Sequence, residues 1–459
     1  MEKPRSLQGF RDYLPATMRV RQHLLDTVRG VYESYGYAPL DTPALEFKEL
    51  LTGKYGDDEK LIYHFKDHGG REVALRYDLT VPLARVVSTN HDLPRPFKRY
   101  QMGPVWRADS PQAGRFREFM QFDVDCVGTN SPLADAEILM IMHDCLSALG
   151  FKSTRSTPGL KYRDMLRVDT ERHLLPRFKN QGLVPSNVSK FTIRVSHRGV
   201  FGAVLRALKV PSEHHTTVLR LVDKIDKVGA GEIKAKLLEI VPKPIISQMF
   251  ELFDQSGKDL IGHLHSILSH DQAGLDAVSN LSDIFNLVSD LDSIKIDLSI
   301  VRGLSYYTGL IYEAVLDDHP GLGSVYAGGR YDDLMRDLAG VDMPAVGTSL
   351  GVDRLMTVLS TSDVDASPIV LTVFGGFESD ALQLSTTLRQ AGLNVALAFG
   401  QEKLGKQLHY ADNLGARVTL IFGEPEILAG KVVVRNMKSG EQTEFRLDQL
   451  DDLISALKK

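Results

Sequence analysis

Between residues 20 and 35 the apolar positions Val20, Leu24, Val28, Val31 and Tyr35 recur every three or four residues, as along one face of an amphipathic helix. Gly36 ends the pattern, and Pro39 and Pro43 bias their neighbours towards extended backbone, so 37–43 is predicted to be extended. Strand-forming runs follow at 73–80, 97–107 and 115–127, ahead of a second helix over 133–149. Strands gathered before a helix predict an α+β domain built on an antiparallel sheet flanked by helices. Residues 152–190 are polar and punctuated by Pro158, Gly159, Pro176, Gly182 and Pro185, which predicts an insertion. From 200 to 294 helical spacings dominate, through Leu205, Leu208, Leu219, Val222, Leu237 and Met249, and predict a mostly helical insertion. Strand signals return at 295–298 and 310–315, and a helix is predicted after Gly347, running to about Leu359.

The rhythm changes beyond a small polar stretch at 361–367. Short apolar strands at 368–374, 393–399 and 416–422 alternate with helical patterns at 379–390 and 402–414, which predicts βαβ units and a separate α/β domain. The division is therefore 1–365, carrying both insertions, and 366–459.

Length and charge narrow the possibilities. At 459 residues, 43% hydrophobic and 25% charged, the chain has a globular composition and is too long for one ordinary core. A net charge of −5 argues against a non-specific nucleic-acid coat and leaves room for a local basic surface. Cys126 and Cys145 are the only cysteines, which excludes a disulfide framework and a four-thiolate zinc site and suits a reducing compartment. With no apolar leader and no run long enough to span a bilayer, the expectation is a cytoplasmic protein without a membrane partner.

The chemistry emerges from strand parity. In 114–125 the even positions Phe116, Glu118, Met120, Phe122 and Val124 make a mostly packing face, whereas Arg115, Arg117, Phe119, Gln121, Asp123 and Asp125 share the other. Arg99, Gln101 and Arg107 share a parity on the preceding strand, with 108–114 as the hairpin loop, and Arg76, Asp78 and Thr80 share one upstream. Three adjacent strands would present Asp78, Thr80, Arg107, Arg115, Phe119, Gln121 and Asp125 to one cleft. Such a floor can bind an anion through arginines, an ammonium through carboxylates and a flat ring on Phe119. No Gly-x-x-x-x-Gly-Lys-Ser/Thr loop is present, so a nucleotide here requires arginines.

These segments resemble the class II aminoacyl-tRNA synthetases, and among them the histidyl-tRNA synthetases. The helix with 37–43 is similar to the first class motif, 99–125 to the second and 347–355 to the third. Arg302, Gly303, Leu304, Ser305, Tyr306 and Tyr307, with 327–332, resemble the two histidine signature segments. The likeness extends over nearly the whole chain.

The resemblance implies a histidine-tRNA ligase that uses L-histidine, ATP with Mg²⁺, and the 3′ end of tRNA(His), works as a homodimer and has no resident metal. It places Arg107 on the α-phosphate, Arg115 on the outer phosphates, Phe119 and Arg354 on the two faces of adenine, and Asp109 near its edge. Asp78, Thr80 and Gln121 would receive the α-ammonium group, and Asp125 and Tyr307 the imidazole, with Tyr306 and Tyr331 beside them. Arg302 would contact both the α-phosphate and the reacting carboxylate, and Arg107 and Arg302 are the expected catalytic pair. Arg302 and Tyr307 stand an odd number apart, so meeting in one cleft requires a bend at 303–305. Domain 366–459 would bind the anticodon, although ten Lys/Arg against eleven Asp/Glu in 368–459 make no basic field; Arg417 and Arg435 are candidate contacts.

Some positions depart from the pattern. Ser305 stands where the family usually has aspartate and Asp333 where glycine is common, and Asp78 and Asp125 are the shorter carboxylates of its eukaryote-like branch. A second reading is a catalytically silent paralogue that senses histidine or uncharged tRNA; such paralogues typically lose signature residues or the C-terminal domain, and this chain retains both.

Overall fold

Pro15 occupies the first position of a helix, where its missing N–H costs nothing, and the helix runs Pro15–Ser34 in the computed structural model. That structure describes residues 3–53, 56–111, 114–153, 183–185, 189–301, 306–340, 342–361, 368–399 and 403–458. Gly36, at φ +77°, closes the helix: its N–H donates to Glu33 O (3.0 Å) and that of Tyr37 to Tyr32 O (3.2 Å). Val20, Leu24, Val28 and Tyr32 are buried along one stripe. At about 1.5–3 kcal/mol for each large apolar side chain, that stripe fastens the helix more firmly than its ends do.

The described residues fall into two compact units, Met1–Ser362 and Asp363–Lys459. In the first, the strands Phe97–Trp106, Glu118–Val127, Ala345–Gly351, Tyr326–Arg330, Leu310–Leu316 and Lys190–His197 lie side by side in that order, all antiparallel. Short parallel strands extend both margins: Ala38–Pro39 beside Phe97–Trp106, and Ile294–Ile296 and Lys152–Ser153 beside Lys190–His197. The expected antiparallel α+β architecture is present.

Parity divides this sheet as the sequence predicts. Phe122 and Val124 enter a core with Leu24, Val28 and Tyr32 of the first helix and Leu139 and Met142 of the helix Pro132–Ala148. Gln121, Asp123 and Asp125 are also buried, on the opposite face. There a second apolar cluster collects Tyr77, Val81, Ala84, Tyr306, Tyr331 and Met335 around the helices Thr80–Thr89 and Asp332–Ala339. The stretch 200–294 is mostly helical as expected, with Arg198–Ala207, Ser212–Val222, Lys243–Phe253, Gly257–Ile267 and Gln272–Leu287 as its longer helices. Of the polar insertion 152–190, residues 154–182 and 186–188 lie outside the described residues.

Three expectations are not met. The run 73–80 is not one strand: Glu72–Leu75 is, and Thr80 begins a helix because the Asp78 carboxylate accepts the Thr80 and Val81 N–H groups at 3.1 and 3.0 Å. That strand pairs with Leu45–Phe47 and His64–Lys66 in a separate small sheet, so it is not a third strand of the cleft floor. Arg76 is buried elsewhere, donating to Thr42 O (2.6 Å) and Pro104 O (2.9 Å). Third, Gly347 lies within the central strand Ala345–Gly351, and the helix after it is the single turn Val352–Leu355, followed by the strand Leu359–Thr361. Two pairing partners for that segment outweigh the helical spacing of its apolar residues.

In the second unit Val395–Leu397, Ile369–Leu371 and Val418–Ile421 form a parallel sheet, linked through the helices Glu378–Gln390 and Leu404–Asn413 as predicted. An antiparallel hairpin, Lys431–Asn436 and Gln442–Arg446, completes the sheet and has no counterpart in the sequence reading. Arg417 is held to the last helix by a hydrogen bond to Leu457 O. Most of the predicted linker, 362–367, lies outside the described residues, and the boundary between the units falls within it.

Candidate active site

Cross-strand register makes the first contact of the site. Arg99 and Asp125 are directly opposite each other on the hairpin, and Arg99 Nη2 lies 2.8 Å from Asp125 Oδ2 with both side chains buried. On the other flank Asp125 faces Gly347. A Cβ on Gly347 would lie 1.9 Å from Asp125 Oδ1, so the carboxylate occupies the volume that any other residue would need. Gly329 is constrained in the same way, by Leu310 O at 2.5 Å and the Tyr307 ring at 3.0 Å. Gly328, Gly329 and Gly347 therefore admit neighbouring groups; they are strand residues, not turn residues.

Three tyrosines close one side. The rings of Tyr306, Tyr307 and Tyr331 pack edge to face with centroids 5.1, 5.9 and 6.4 Å apart. Tyr331 donates its hydroxyl to Asp125 Oδ1, and Tyr306 donates to Asp78 Oδ2 at 3.2 Å. Gln121 Nε2 donates to Ser349 Oγ (2.7 Å), and Gln121 Oε1 is a buried acceptor without a partner among the described residues.

Asp123 and Asp125 both lie against the buried Arg99, and burial dominates their electrostatics. Burial pushes the Asp123 carboxyl up to about 7 against the pull of Arg99, with Asp125 and Asp78 adding to the rise. Asp125 is also raised by burial, opposed by Arg99 and by the Tyr331 hydrogen bond. Burial and the same carboxylates keep the Tyr307 phenol protonated, well above its ordinary range. A pocket lined by carboxylates, an amide oxygen and a neutral phenol suits a small ligand that carries an ammonium group and a ring N–H.

Beside this pocket the hairpin carries cations. The Arg107 guanidinium lies over the rings of Tyr77 (4.2 Å) and Phe119 (5.2 Å), and its Nε donates to Tyr77 O (3.1 Å). Arg115 pairs with Asp109 at 2.8 Å, and the Arg354 guanidinium donates to Ser324 O. Among the described residues no group of three or more His, Cys, Asp or Glu is placed to hold a metal ion.

The structure thus brings Asp78, Gln121, Asp125, Tyr306, Tyr307 and Tyr331 together as a pocket, and Thr80 enters through the helix start that Asp78 caps. Arg115 precedes its strand, which begins at Glu118, and so belongs to the loop. Arg302, with Gly303, Leu304 and Ser305 and the bend expected there, lies outside the described residues. Arg99, Asp123 and Ser349 had no assigned role in the sequence reading. The parity of Arg99 and Asp123 was visible, but their partners depend on register. A cavity of about 530 Å³ lies at the far end of the sheet, where Arg194 is already paired with Asp226, Asp297 and Glu313.

Comparison with known proteins agrees with this geometry. A histidine–tRNA ligase of Rhodopirellula baltica is 37% identical over 475 aligned positions, covering 100% of this chain and 99% of the relative. One from Aeropyrum pernix is 34% identical, covering 97% of each chain. The crystal structure of a histidyl-tRNA synthetase from Nostoc superposes with a TM-score of 0.81 at 30% identity, covering 99% of this chain and 100% of that one. The anticodon-binding domain model matches 369–457, within the second unit. The histidyl-tRNA synthetase model matches 9–157 and 181–355, which includes the hairpin, the tyrosines and the glycine strands and passes over 158–180, and the chain belongs to that family.

Proposed function

We propose that the cleft activates L-histidine with MgATP to histidyl-adenylate and then transfers the histidyl group to the 3′-terminal adenosine of tRNA(His). The observation that carries this reading is the buried Asp125, held between Arg99, Tyr331 and Gly347 beside the arginine-bearing hairpin. Asp125 and Tyr307 receive the two imidazole nitrogens, one as acceptor and one as donor, with Tyr306 and Tyr331 holding them in place. The α-ammonium group lies against Asp78, Thr80 and the open Gln121 Oε1.

The histidine carboxylate oxygen attacks the α-phosphorus, and the bond from that phosphorus to the pyrophosphate oxygen breaks. Arg107 stabilises charge on the α-phosphate, Arg115 leaves Asp109 to meet the outer phosphates, and Phe119 and Arg354 hold adenine, with Asp109 at its edge. Mg²⁺ arrives with ATP as part of the substrate. Arg302 is assigned to the reacting carboxylate and α-phosphate from its signature sequence. In the second step the terminal ribose hydroxyl attacks the acyl carbon and AMP leaves.

The second unit binds the anticodon, the protein is a homodimer through its first helix and the strand after it, and it works in the cytoplasm. Two free buried cysteines and the lack, among the described residues, of a helix long and apolar enough to cross a membrane accord with that location. Arg302, Tyr306, Tyr307 and the C-terminal unit are all present, which speaks against a silent paralogue. Pyrophosphate exchange tests the reading: it should require histidine, and exchange supported only by another amino acid overturns it. A monomer mass by light scattering at micromolar concentration overturns the dimer.

A further inference from the structure

Leu7 and Leu14 are exposed, so the segment before the first helix contributes little apolar burial. Its polar groups are nevertheless committed. Gly9 O accepts the Arg117 N–H (2.9 Å) and the Glu118 N–H (3.4 Å), at the base of the hairpin. Gly9 adopts φ +85°, and a Cβ there would lie 2.7 Å from Arg117 Cγ, so the turn packs directly on the Arg117 side chain. Arg11 stacks on Phe116 at 3.7 Å, donates from Nε to the Tyr13 hydroxyl (2.7 Å) and reaches Asp353 Oδ1 with Nη2 (2.6 Å).

Asp353 collects these threads. It is buried, its Oδ1 also accepts from the Tyr13 hydroxyl, and its Oδ2 accepts the Met120 N–H at 2.7 Å. Arg21 stacks on Tyr13 at 4.1 Å and approaches Asp353 Oδ2 at 3.9 Å. Burial and the Asp353 carboxylate push the Tyr13 phenol up to about 12, so it stays a donor at physiological pH. One carboxylate therefore joins the N-terminal segment, the strand that carries Phe119 and the turn that carries Arg354.

We propose that Arg11, Tyr13 and Asp353 are positioning residues for the nucleotide, fixing the hairpin that carries Arg107, Arg115 and Phe119 against Arg354. This rests on the reading that those four residues bind ATP. If the network only stabilised the fold, its loss would lower the amount of active protein without separating the two substrates.

The test is histidine-dependent pyrophosphate exchange on the full chain, with ATP and histidine varied separately. Arg11→Ala should raise KM for ATP about tenfold and leave KM for histidine within about twofold. Arg11→Lys keeps a cation at Asp353 but loses the fork to Tyr13, and should recover part of the loss. Tyr13→Phe removes one hydroxyl and should raise KM for ATP about threefold; it decides the matter if Arg11→Ala does not fold. An unchanged KM for ATP, both KM values rising together, or a fall in kcat alone overturns the proposal. Equilibrium binding of a non-hydrolysable ATP analogue without amino acid should weaken in Arg11→Ala by the same ratio. That measurement still decides this inference if wild-type exchange proves not to need histidine, an outcome that defeats the function instead.

Discussion

Tyr331→Phe tests the pocket at its most constrained hydrogen bond. The Tyr331 ring is buried and its hydroxyl donates to Asp125 Oδ1, while Asp125 Oδ2, though 2.8 Å from Arg99, has no aligned donor among the described residues. Phenylalanine keeps the ring in place, so the change removes one charge-assisted hydrogen bond and creates little cavity. Leaving a buried carboxylate short of a donor costs about 1–3 kcal/mol, and about 1.4 kcal/mol corresponds to a tenfold change in an equilibrium. The Tyr331 hydrogen bond is one of the influences that hold the Asp125 pKa down, so its loss raises that pKa further and favours the protonated, neutral acid. A neutral Asp125 is a weaker partner for an imidazole N–H. In pyrophosphate exchange between about pH 6 and 9, KM for histidine should rise about tenfold near neutrality and fall back towards wild type as the pH rises. KM for ATP should not move. A histidine KM unchanged at every pH, or an equal rise for ATP, would refute the assignment of Asp125.

Other perturbations test other parts of the site. Gly347→Ala places a methyl group within the space of Asp125 Oδ1 and should cost about 1–3 kcal/mol of stability with a sharp loss of histidine affinity; thermal melts and binding by calorimetry read both. Arg107→Ala should reduce adenylate formation by about 100-fold or more while histidine binding persists, and single-turnover kinetics near the wild-type rate would deny it a catalytic role. Asp123 lies against Arg99, Asp125, Asp78 and Ser349 with a carboxyl pushed up to about 7, above its ordinary value near ~3.9. Its protonated form favours the folded state, a contribution complete below the ordinary value and lost as the pH rises through 7. Asp123→Asn stays neutral, so its Tm relative to wild type should climb between about pH 5 and 8, and a flat difference counts against the buried charge.

The legible features of this chain were local or periodic. The helix Pro15–Ser34 shows its buried stripe at i and i+4, and the parity of 114–125 separates Phe122 and Val124 from Asp123 and Asp125 without any structure. The strands and helices of the second unit were legible for the same reason, because short apolar runs bounded by turns repeat there. Less legible was 73–80, where Asp78 diverts the chain into a helix by accepting two backbone N–H groups, a side-chain event that period-two counting does not register. The helix predicted beyond Gly347 failed for a different reason. Its apolar spacing suits a helix, but in Ala345–Gly351 a strand paired on both sides satisfies the backbone polar groups more completely than a single helical turn could.

By itself, then, the sequence determined which residue types share a face of a strand and, through its signature segments, which family it resembles. Only the tertiary structure decided which charges meet. Arg99 and Asp125 are 26 positions apart, Asp125 and Gly347 are 222 apart, and Tyr331 reaches the same carboxylate from a strand end further along the sheet. Register across the sheet sets those pairings, and it is fixed by packing on both faces rather than by any local pattern. The need for glycine at 347 is likewise invisible until Asp125 is seen to fill the space beside it.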